Sequence, residues 1–392
     1  MKKPSRPVIE LESDALSSGP WIYGRQVRPP REAVEPGSLV DVLDASGRFV
    51  GAALYNPASD IRLRVLSRGK KSDLDRPKEW LQRTLASADR LRRKTLRLDE
   101  VTDAYRVAHA EGDDVPGLIV DRMGGVLVAE YHSLGFWKLR AEVEWALESL
   151  YDDHVVVHRV PKAAMNAESF EPEEAPLDVG EVKILEHGVP FALLPGRGHK
   201  TGFFCDQRDN RRKVAALAKG ADVLDLCCNI GGFALHAAAA GARSVRAVDL
   251  DEVVLERAEA SARLGSADVE FIHADVFPFC REEQARRRQS RVVILDPHKI
   301  IPGKRMLEEG LHKYGDMNSL ALSLVKPGGI FATFSCSGAL DLESFVGMVF
   351  RSARRAERDL RVLEVLGAGP DHPQRPDFPR SRYLKGLLCA VD

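Results

Sequence analysis

The sequence predicts an α/β protein whose C-terminal half is a doubly wound, mostly parallel sheet. Two observations predict it. From about residue 212, short apolar segments alternate with stretches of helix length, and four of the apolar segments run into an aspartate. A third observation bounds the architecture. A chain of 392 residues is too long for one ordinary core, and its first half has a different rhythm. The expected domains are a small β-barrel over 1–70, a small α+β middle domain over 71–188 and the doubly wound domain over 189–392.

Residues 7 to about 66 read as short strands between turns. Ser38 to Asp44 alternates and meets Ala45-Ser46-Gly47, a hairpin signal, after which Phe49 to Tyr55 and Arg62 to Leu66 are further strands. Ser67-Arg68-Gly69-Lys70-Lys71 is a polar break. Pro77 suits the first turn of a helix, and Trp80, Leu81, Leu85, Leu91 and Leu96 among charges predict an amphipathic helix over 78–96. Strands are expected at 105–110, 118–121, 126–131 and 155–160, with a helix near 137–150. Residues 166–180, with Glu168, Glu171, Glu173 and Glu174, read as a solvated loop. Beyond 212 the strands are 223–226, 244–248, 269–273, 292–295 and 330–334, separated by helices at 232–240, 251–264 and 305–324.

With 44% apolar and 29% charged residues the chain has a soluble globular composition. Its first residues carry two lysines but no apolar run behind them, so no signal peptide is expected. No stretch approaches the roughly 18 apolar residues of a membrane span. The cysteines are Cys205, Cys227, Cys228, Cys280, Cys336 and Cys389, without a C-x-x-C pair. No metal site is expected, and the thiols are expected to be reduced in a cytoplasm. A net charge of −1 gives no global attraction to nucleic acid, which leaves local patches. Basic clusters occur at Arg90, Arg92, Arg93, Lys94 and Arg97, at Arg286 to Arg288, and at Arg351, Arg354, Arg355 and Arg358. Each also fits a solvated helix face.

In doubly wound sheets ligands bind at the carboxyl ends of the strands. Those ends carry Asp225, Asp249, Asp275 and Asp296. Any one of them could be a helix N-cap; all four together favour a site. Asp249 follows Asp225 at roughly the 20-residue offset of a carboxylate that grips ribose hydroxyls, which points to a nucleoside. The first loop, Asp225-Leu226-Cys227-Cys228-Asn229-Ile230-Gly231-Gly232-Phe233, lacks the early glycines of a pyrophosphate site and opens with an anion. That disfavours a dehydrogenase and suits a ligand with an ammonium or sulfonium, S-adenosylmethionine. Cys227 and Cys228 read as packing residues beside it.

Longer motifs carry a resemblance. Gly198-His199-Lys200-Thr201-Gly202-Phe203-Phe204-Cys205-Asp206-Gln207-Arg208-Asp209-Asn210-Arg211, Ser335-Cys336-Ser337 after the fifth strand, and His372-Pro373 to Pro379 with Tyr383-Leu384-Lys385-Gly386 resemble signatures of one family. It is the bacterial large-subunit ribosomal RNA 5-methylcytosine methyltransferases that begin with a PUA domain, an RNA-binding β barrel. Pro20-Trp21-Ile22-Tyr23, Leu54-Tyr55-Asn56-Pro57 and Asp113 to Asp121 extend the likeness over nearly the whole chain. Two positions depart from the family: His298 stands where Pro is usual, in Asp296-Pro297-His298-Lys299-Ile300, and His199 replaces Gln.

The resemblance implies a class I methyltransferase fold, S-adenosylmethionine as cofactor and RNA as partner. Cofactor contacts are expected from Asp225, Cys227, Asn229, Gly231, Asp249, Asp275 and Gln207, and RNA contacts from Trp21 and, to phosphates, from the basic clusters and Lys200, Lys299 and Lys385. Catalysis would fall to Cys336 and Asp296. By position alone Cys336 fits a nucleophile and a buried strand-end thiol equally; the Ser-Cys-Ser match favours the nucleophile. A methyltransferase directed at a base nitrogen needs no thiol, and a non-catalytic RNA-binding or assembly factor needs no cofactor pocket. Nothing in the pattern opposes a homodimer.

Overall fold

The structure, a computed structural model, describes residues 6–14, 18–68, 74–173, 175–198 and 200–392. Gly69 to Lys71 of the expected polar break, Glu174 and His199 lie outside the described residues. The chain forms two compact units, one of residues 1–182, 194–203 and 370–381, the other of 183–193, 204–369 and 382–392.

The first unit opens with β1 (Val8–Glu10), β2 (Trp21–Ile22), β3 (Leu39–Leu43), β4 (Phe49–Tyr55) and β5 (Leu63–Ser67), in the order β1-β3-β4-β5-β2. The expected hairpin joins β3 to β4, with Gly47 at φ 81° in its turn, where a side chain would be strained. Alternation sends Val40 and Val42 into a core with Ile9, Ile22, Ala53 and Leu63. Helix α1 (Pro77–Arg90) starts on its proline and buries Trp80, Leu81 and Leu85. A second sheet follows, β6 (Ala104–His109), β7 (Leu118–Met123), β8 (Val126–Tyr131) and β9 (Val155–Arg159), ordered as in sequence. Only β8 and β9 run parallel, and α2 (Leu134–Lys138) and α3 (Arg140–Glu148) make the crossover between them. The one helix expected over 137–150 is thus two, divided at Leu139.

One expectation for this unit fails. Residues 166–180 do not begin as a solvated loop, because Lys162–Glu168 is a helix, α4, and Glu168 is buried. Its carboxylate accepts from Ser59 Oγ (2.7 Å), Arg64 (3.0 Å), Asn56 Nδ2 (3.1 Å) and Leu134 N (3.0 Å). Four gathered donors make burial of an acid tolerable. The first basic cluster is exposed at Arg90, Arg93, Lys94 and Arg97, with one exception. A π turn at Leu91–Thr95 carries Arg92 inward, fully buried and bidentate on Asp113 (2.7 Å each). Arg93 pairs with Asp99 and Arg97 with Glu100.

The second unit begins with the hairpin β10 (Val182–Glu186) and β11 (Val189–Leu193), then α5 (Arg208–Ala215). Alternating elements follow: β12 (Asp222–Leu226), α6 (Gly232–Ala239), β13 (Ser244–Asp249), α7 (Glu252–Gly265), β14 (Glu270–His273), α8 (Val276–Ala285), β15 (Ser290–Leu295), α9 (Leu307–Ser323), β16 (Val325–Ser335), α10 (Leu342–Arg355), β17 (Leu360–Gly367) and β18 (Lys385–Val391). The sheet order is β14-β13-β12-β15-β16-β18-β17. β14 through β16 are parallel, and β18 enters antiparallel between β16 and β17. The chain leaves β12 toward β14 and returns on its other side as β15, so the topological switch point lies between β12 and β15. The five expected strands are present, and β17 and β18 add two that were not expected. Among the described residues no helix is long and apolar enough to cross a membrane.

A buried ion pair joins the hairpin to two helices. Arg211 from α5 donates twice to Glu186 from β10 (2.6 and 2.7 Å) and once to Phe204 O (3.0 Å), while His236 from α6 meets the same carboxylate at 2.9 Å. Burial pushes the Glu186 carboxyl up, but the Arg211 guanidinium and the hydrogen bonds outweigh it and hold it at about 2, against an ordinary 4.5. Glu186→Ala should therefore destabilise the protein by about 3–5 kcal/mol, since it leaves the buried Arg211 charge without this carboxylate. In the parent protein the contribution of this carboxylate is fully present above about pH 4.5 and is lost as pH falls toward 2. Denaturant midpoints of both proteins across that range check both statements; a variant as stable as the parent would remove the pair from its role.

Candidate active site at the carboxyl ends of the parallel strands

The switch point gathers the acids. Asp225 lies near the end of β12, with Ile294 of β15 and Ala247 of β13 as its ladder partners. Asp296 follows β15 and donates its backbone N–H to Leu226 O (3.2 Å). Asp249 closes β13. Between β12 and α6 the loop holds Cys227, Asn229 and Gly231 at positive φ (61°, 49° and 75°). At Gly231 a side chain would also press on Phe271 (3.1 Å) and Ala258 (3.3 Å), which accounts for glycine there. Asn229 N donates to Asp249 Oδ2 (2.8 Å), and the other Asp249 oxygen accepts from Asp251 N (3.0 Å).

The four acids do different work. Asp275 caps α8, accepting from Phe277 N (2.8 Å), and is exposed. Asp249 caps no helix; Asp251 does that for α7. Asp225 is fully buried, accepts from Ala234 N (3.0 Å) with one oxygen, and has no hydrogen-bond partner for the other. Burial, then the charges of Asp296 and Asp249, push its carboxyl well up. An unpartnered buried acceptor among three carboxylates is a site short of positive charge. The sulfonium and ammonium of S-adenosylmethionine fit that deficit, and a phosphate would not. Burial, and next the acid facing each thiol, push Cys227 and Cys228 well up, so both stay protonated.

Asp296 is half-buried, and its Oδ2 accepts from Gln207 Nε2 (2.8 Å). The Gln207 carbonyl in turn accepts from Asn210 Nδ2 (2.6 Å), which also donates to Gly367 O (2.9 Å). Gln207, expected against the cofactor, therefore has both ends of its amide engaged in orienting Asp296. Sequence reading missed this, although the spacing Gln207-x-x-Asn210 across the start of a helix is the available signal.

Cys336 leaves β16 half-buried, on the strand next to β15. Its two neighbours are pinned to α9. Ser335 Oγ donates to Tyr314 Oη (3.0 Å), the Tyr314 and Ser337 hydroxyls are 3.0 Å apart, and Ser337 Oγ accepts from Ile301 N (3.1 Å). Tyr314 lies mid-helix, and no spacing in the sequence flags it.

The expected RNA contacts divide. Lys299 and His298 are exposed on the segment after Asp296. Lys385 is buried, donating to Ser337 O (2.7 Å) and Tyr383 O (2.6 Å), so it cannot hold a solvent-facing phosphate as expected. Burial lowers it to about 8, against the pull of the Cys336 thiol and then Asp341. In the first unit, Lys200 is half-buried at φ 50° and its carbonyl accepts from Arg159. Trp21 donates its indole N–H to Glu111 (2.8 Å) and meets Phe378 edge-on (centroids 4.7 Å), so that polar edge is already committed.

Residues 137–389 match the S-adenosylmethionine-dependent methyltransferase family, and residues 12–68 match the PUA-like domain family. The chain is 35% identical to the ribosomal RNA large subunit methyltransferase I of Pseudoalteromonas atlantica, over 97% of each chain. Its fold matches an S-adenosylmethionine-dependent methyltransferase from Streptococcus mutans with a TM-score of 0.81 at 18% identity, covering 98% of this chain and 100% of that one. A methyltransferase solved with S-adenosylhomocysteine gives 0.80 at 18% identity, over 99% and 100%.

The contrast between the two lysines of this site is directly measurable. Under brief acetylation of the folded protein, Lys299 should be modified and Lys385 should not, becoming reactive only on unfolding. Peptide mass spectrometry reads both sites, and rapid native labelling of Lys385 would contradict its burial.

Proposed function

The chain belongs to the family of S-adenosylmethionine-dependent large-subunit ribosomal RNA methyltransferases, and we propose that it methylates carbon 5 of a cytosine through a covalent adduct on Cys336. One observation carries the reading. On adjacent parallel strands Leu295 pairs with Thr333, so Asp296 and the half-buried Cys336 both emerge at the same end of the sheet, beside the switch point. A nitrogen-directed enzyme has no use for a thiol there.

S-adenosylmethionine, when bound, supplies an electrophilic methyl group. Asp249 would accept from the ribose hydroxyls and Asp275 from the adenine edge, while Cys227, Asn229 and Gly231 shape the loop against the rest. The unpartnered oxygen of Asp225 supports a cationic occupant. Carbon 5 of cytosine is a poor nucleophile, and Cys336 corrects that. Its thiolate forms a bond to carbon 6, and the 5,6 double-bond pair moves to carbon 5, which becomes enamine-like. Asp296, held by Gln207, hydrogen-bonds the base edge and, when protonated, assists this addition. Once carbon 5 carries its methyl group, loss of the carbon-5 proton restores the double bond, and the sulfur–carbon bond breaks to return the thiolate. The base must leave its stack to reach Cys336, and exposed Lys299 is suited to a neighbouring phosphate.

Asp249→Ala should weaken S-adenosylmethionine binding by about 1.5–3 kcal/mol, the scale of a charge-assisted hydrogen bond; unchanged affinity in calorimetry would remove Asp249 from the site. Target RNA carrying 5-fluorocytosine should trap the protein, because fluorine blocks the final proton loss. The slow-migrating adduct should map to Cys336 and not to Cys227 or Cys228. Cys336→Ala should lose both adduct and methylation while still binding the cofactor. Methylation at an undiminished rate in that variant would end the covalent reading.

A further inference from the structure

Lys385 brackets Cys336. Across the antiparallel ladder it is the partner of Ser335, the residue before the cysteine, and its ammonium donates to the carbonyl of Ser337, the residue after it. Its second hydrogen bond goes to Tyr383 O. No carboxylate among the described residues forms a salt bridge with it. Long cationic side chains are rarely buried without an opposite charge, because two carbonyl dipoles do not replace the hydration of an ammonium. The missing charge has one evident source. The titratable groups facing this corner are the Cys336 thiol, Asp341 before α10, and Tyr314 from α9, whose phenol burial pushes up and so keeps neutral. Asp341 is spent on the cap of α10, accepting from Ser344 N (2.8 Å).

We propose that Lys385 is a positioning residue whose ammonium serves as the counter-cation of the Cys336 thiolate. The inference rests on the reading of Cys336 as nucleophile and supplies what that reading lacks, a reason for this thiol to be ionised near neutral pH. The lysine stays protonated throughout. The thiol proton leaves to solvent as the thiolate forms, the thiolate charge is consumed when sulfur bonds to carbon 6, and it returns to the ammonium when that bond breaks. An attached base therefore leaves Lys385 unpaired, which favours expulsion of the methylated product.

The test is the pH profile of Cys336 alkylation by iodoacetamide, followed on its own peptide in the full chain. The midpoint in the parent protein should lie at least about one pH unit below the ordinary thiol value of ~8.5. Lys385→Gln keeps a donor for the carbonyls but removes the charge; it should raise the midpoint by one unit or more, a tenfold loss of thiolate at neutral pH. Lys385→Arg should restore most of the shift. Cofactor binding by each variant reports that it is folded, and a purely structural lysine would not move the midpoint. If Lys385→Gln does not fold, the parent midpoint decides alone, and a value at or above ~8.5 overturns the proposal. Trapping by 5-fluorocytosine with an unshifted midpoint would sink the role of Lys385 and leave the nucleophile standing. A lysine-dependent midpoint without trapping would do the reverse.

Discussion

The buried pair of Arg211 and Glu186 is the constraint on which the catalytic end of the sheet depends. Arg211 is fully enclosed, and its stem lies over Gly232, where an added Cβ would sit 3.0 Å from its Cδ. One side chain thus sets α5 and α6 together and tethers both to the hairpin. Helix α6 presents Ala234 N to Asp225, and the turn into α5 presents Gln207 to Asp296. Two acids on different strands are therefore oriented by helices that share a single ionic anchor. Removing half of such an anchor costs more than the anchor contributes as a whole, since the remaining charge stays buried.

The parallel sheet and the location of its site were legible because both obey periodicity. Strands buried on two faces read as apolar runs, and acids at their ends mark the crevice. What was not legible depends on the partners that three-dimensional packing supplies. Arg92 and Lys385 look in sequence like the exposed cations beside them, but one meets Asp113 and the other two carbonyls. Glu168 sits in an acidic, apparently solvated stretch and is buried because Asn56, Ser59 and Arg64 converge on it from far away in the chain. Gln207 stood in a recognised motif, which flagged its importance without its direction. β17 escaped because an edge strand with Val362, Leu363 and Val365 open to solvent breaks the buried-strand pattern; β18 is a buried inner strand whose apolar run from Leu387 to Val391 was legible and was not read as one.

The thiols are sorted by surroundings and not by residue type. Burial raises Cys227, Cys228, Cys280 and Cys389, the last two to about 12. Carboxylates raise the two loop thiols further, so the charge that suits a cationic cofactor also silences the sulfurs beside it. After β16, at the far side of the switch point, Cys336 lies in the field of the buried Lys385 and not in that of the acid cluster around Asp225.

The two longest signature stretches each straddle the division of the molecule. Residues 198–203 and 370–381 belong to the first unit, and 204–211 and 382–386 to the second. Within the first unit Asp371 is fully buried, accepting from Arg106 N (3.1 Å) and, through its carbonyl, from Arg92 (2.6 Å), and a Cβ at Gly112 would collide with Pro373 O at 2.2 Å. A segment near the C-terminus is thus part of the core that the N-terminal half must build. No single cut in the gene separates the two units, so recombination cannot exchange them as contiguous cassettes.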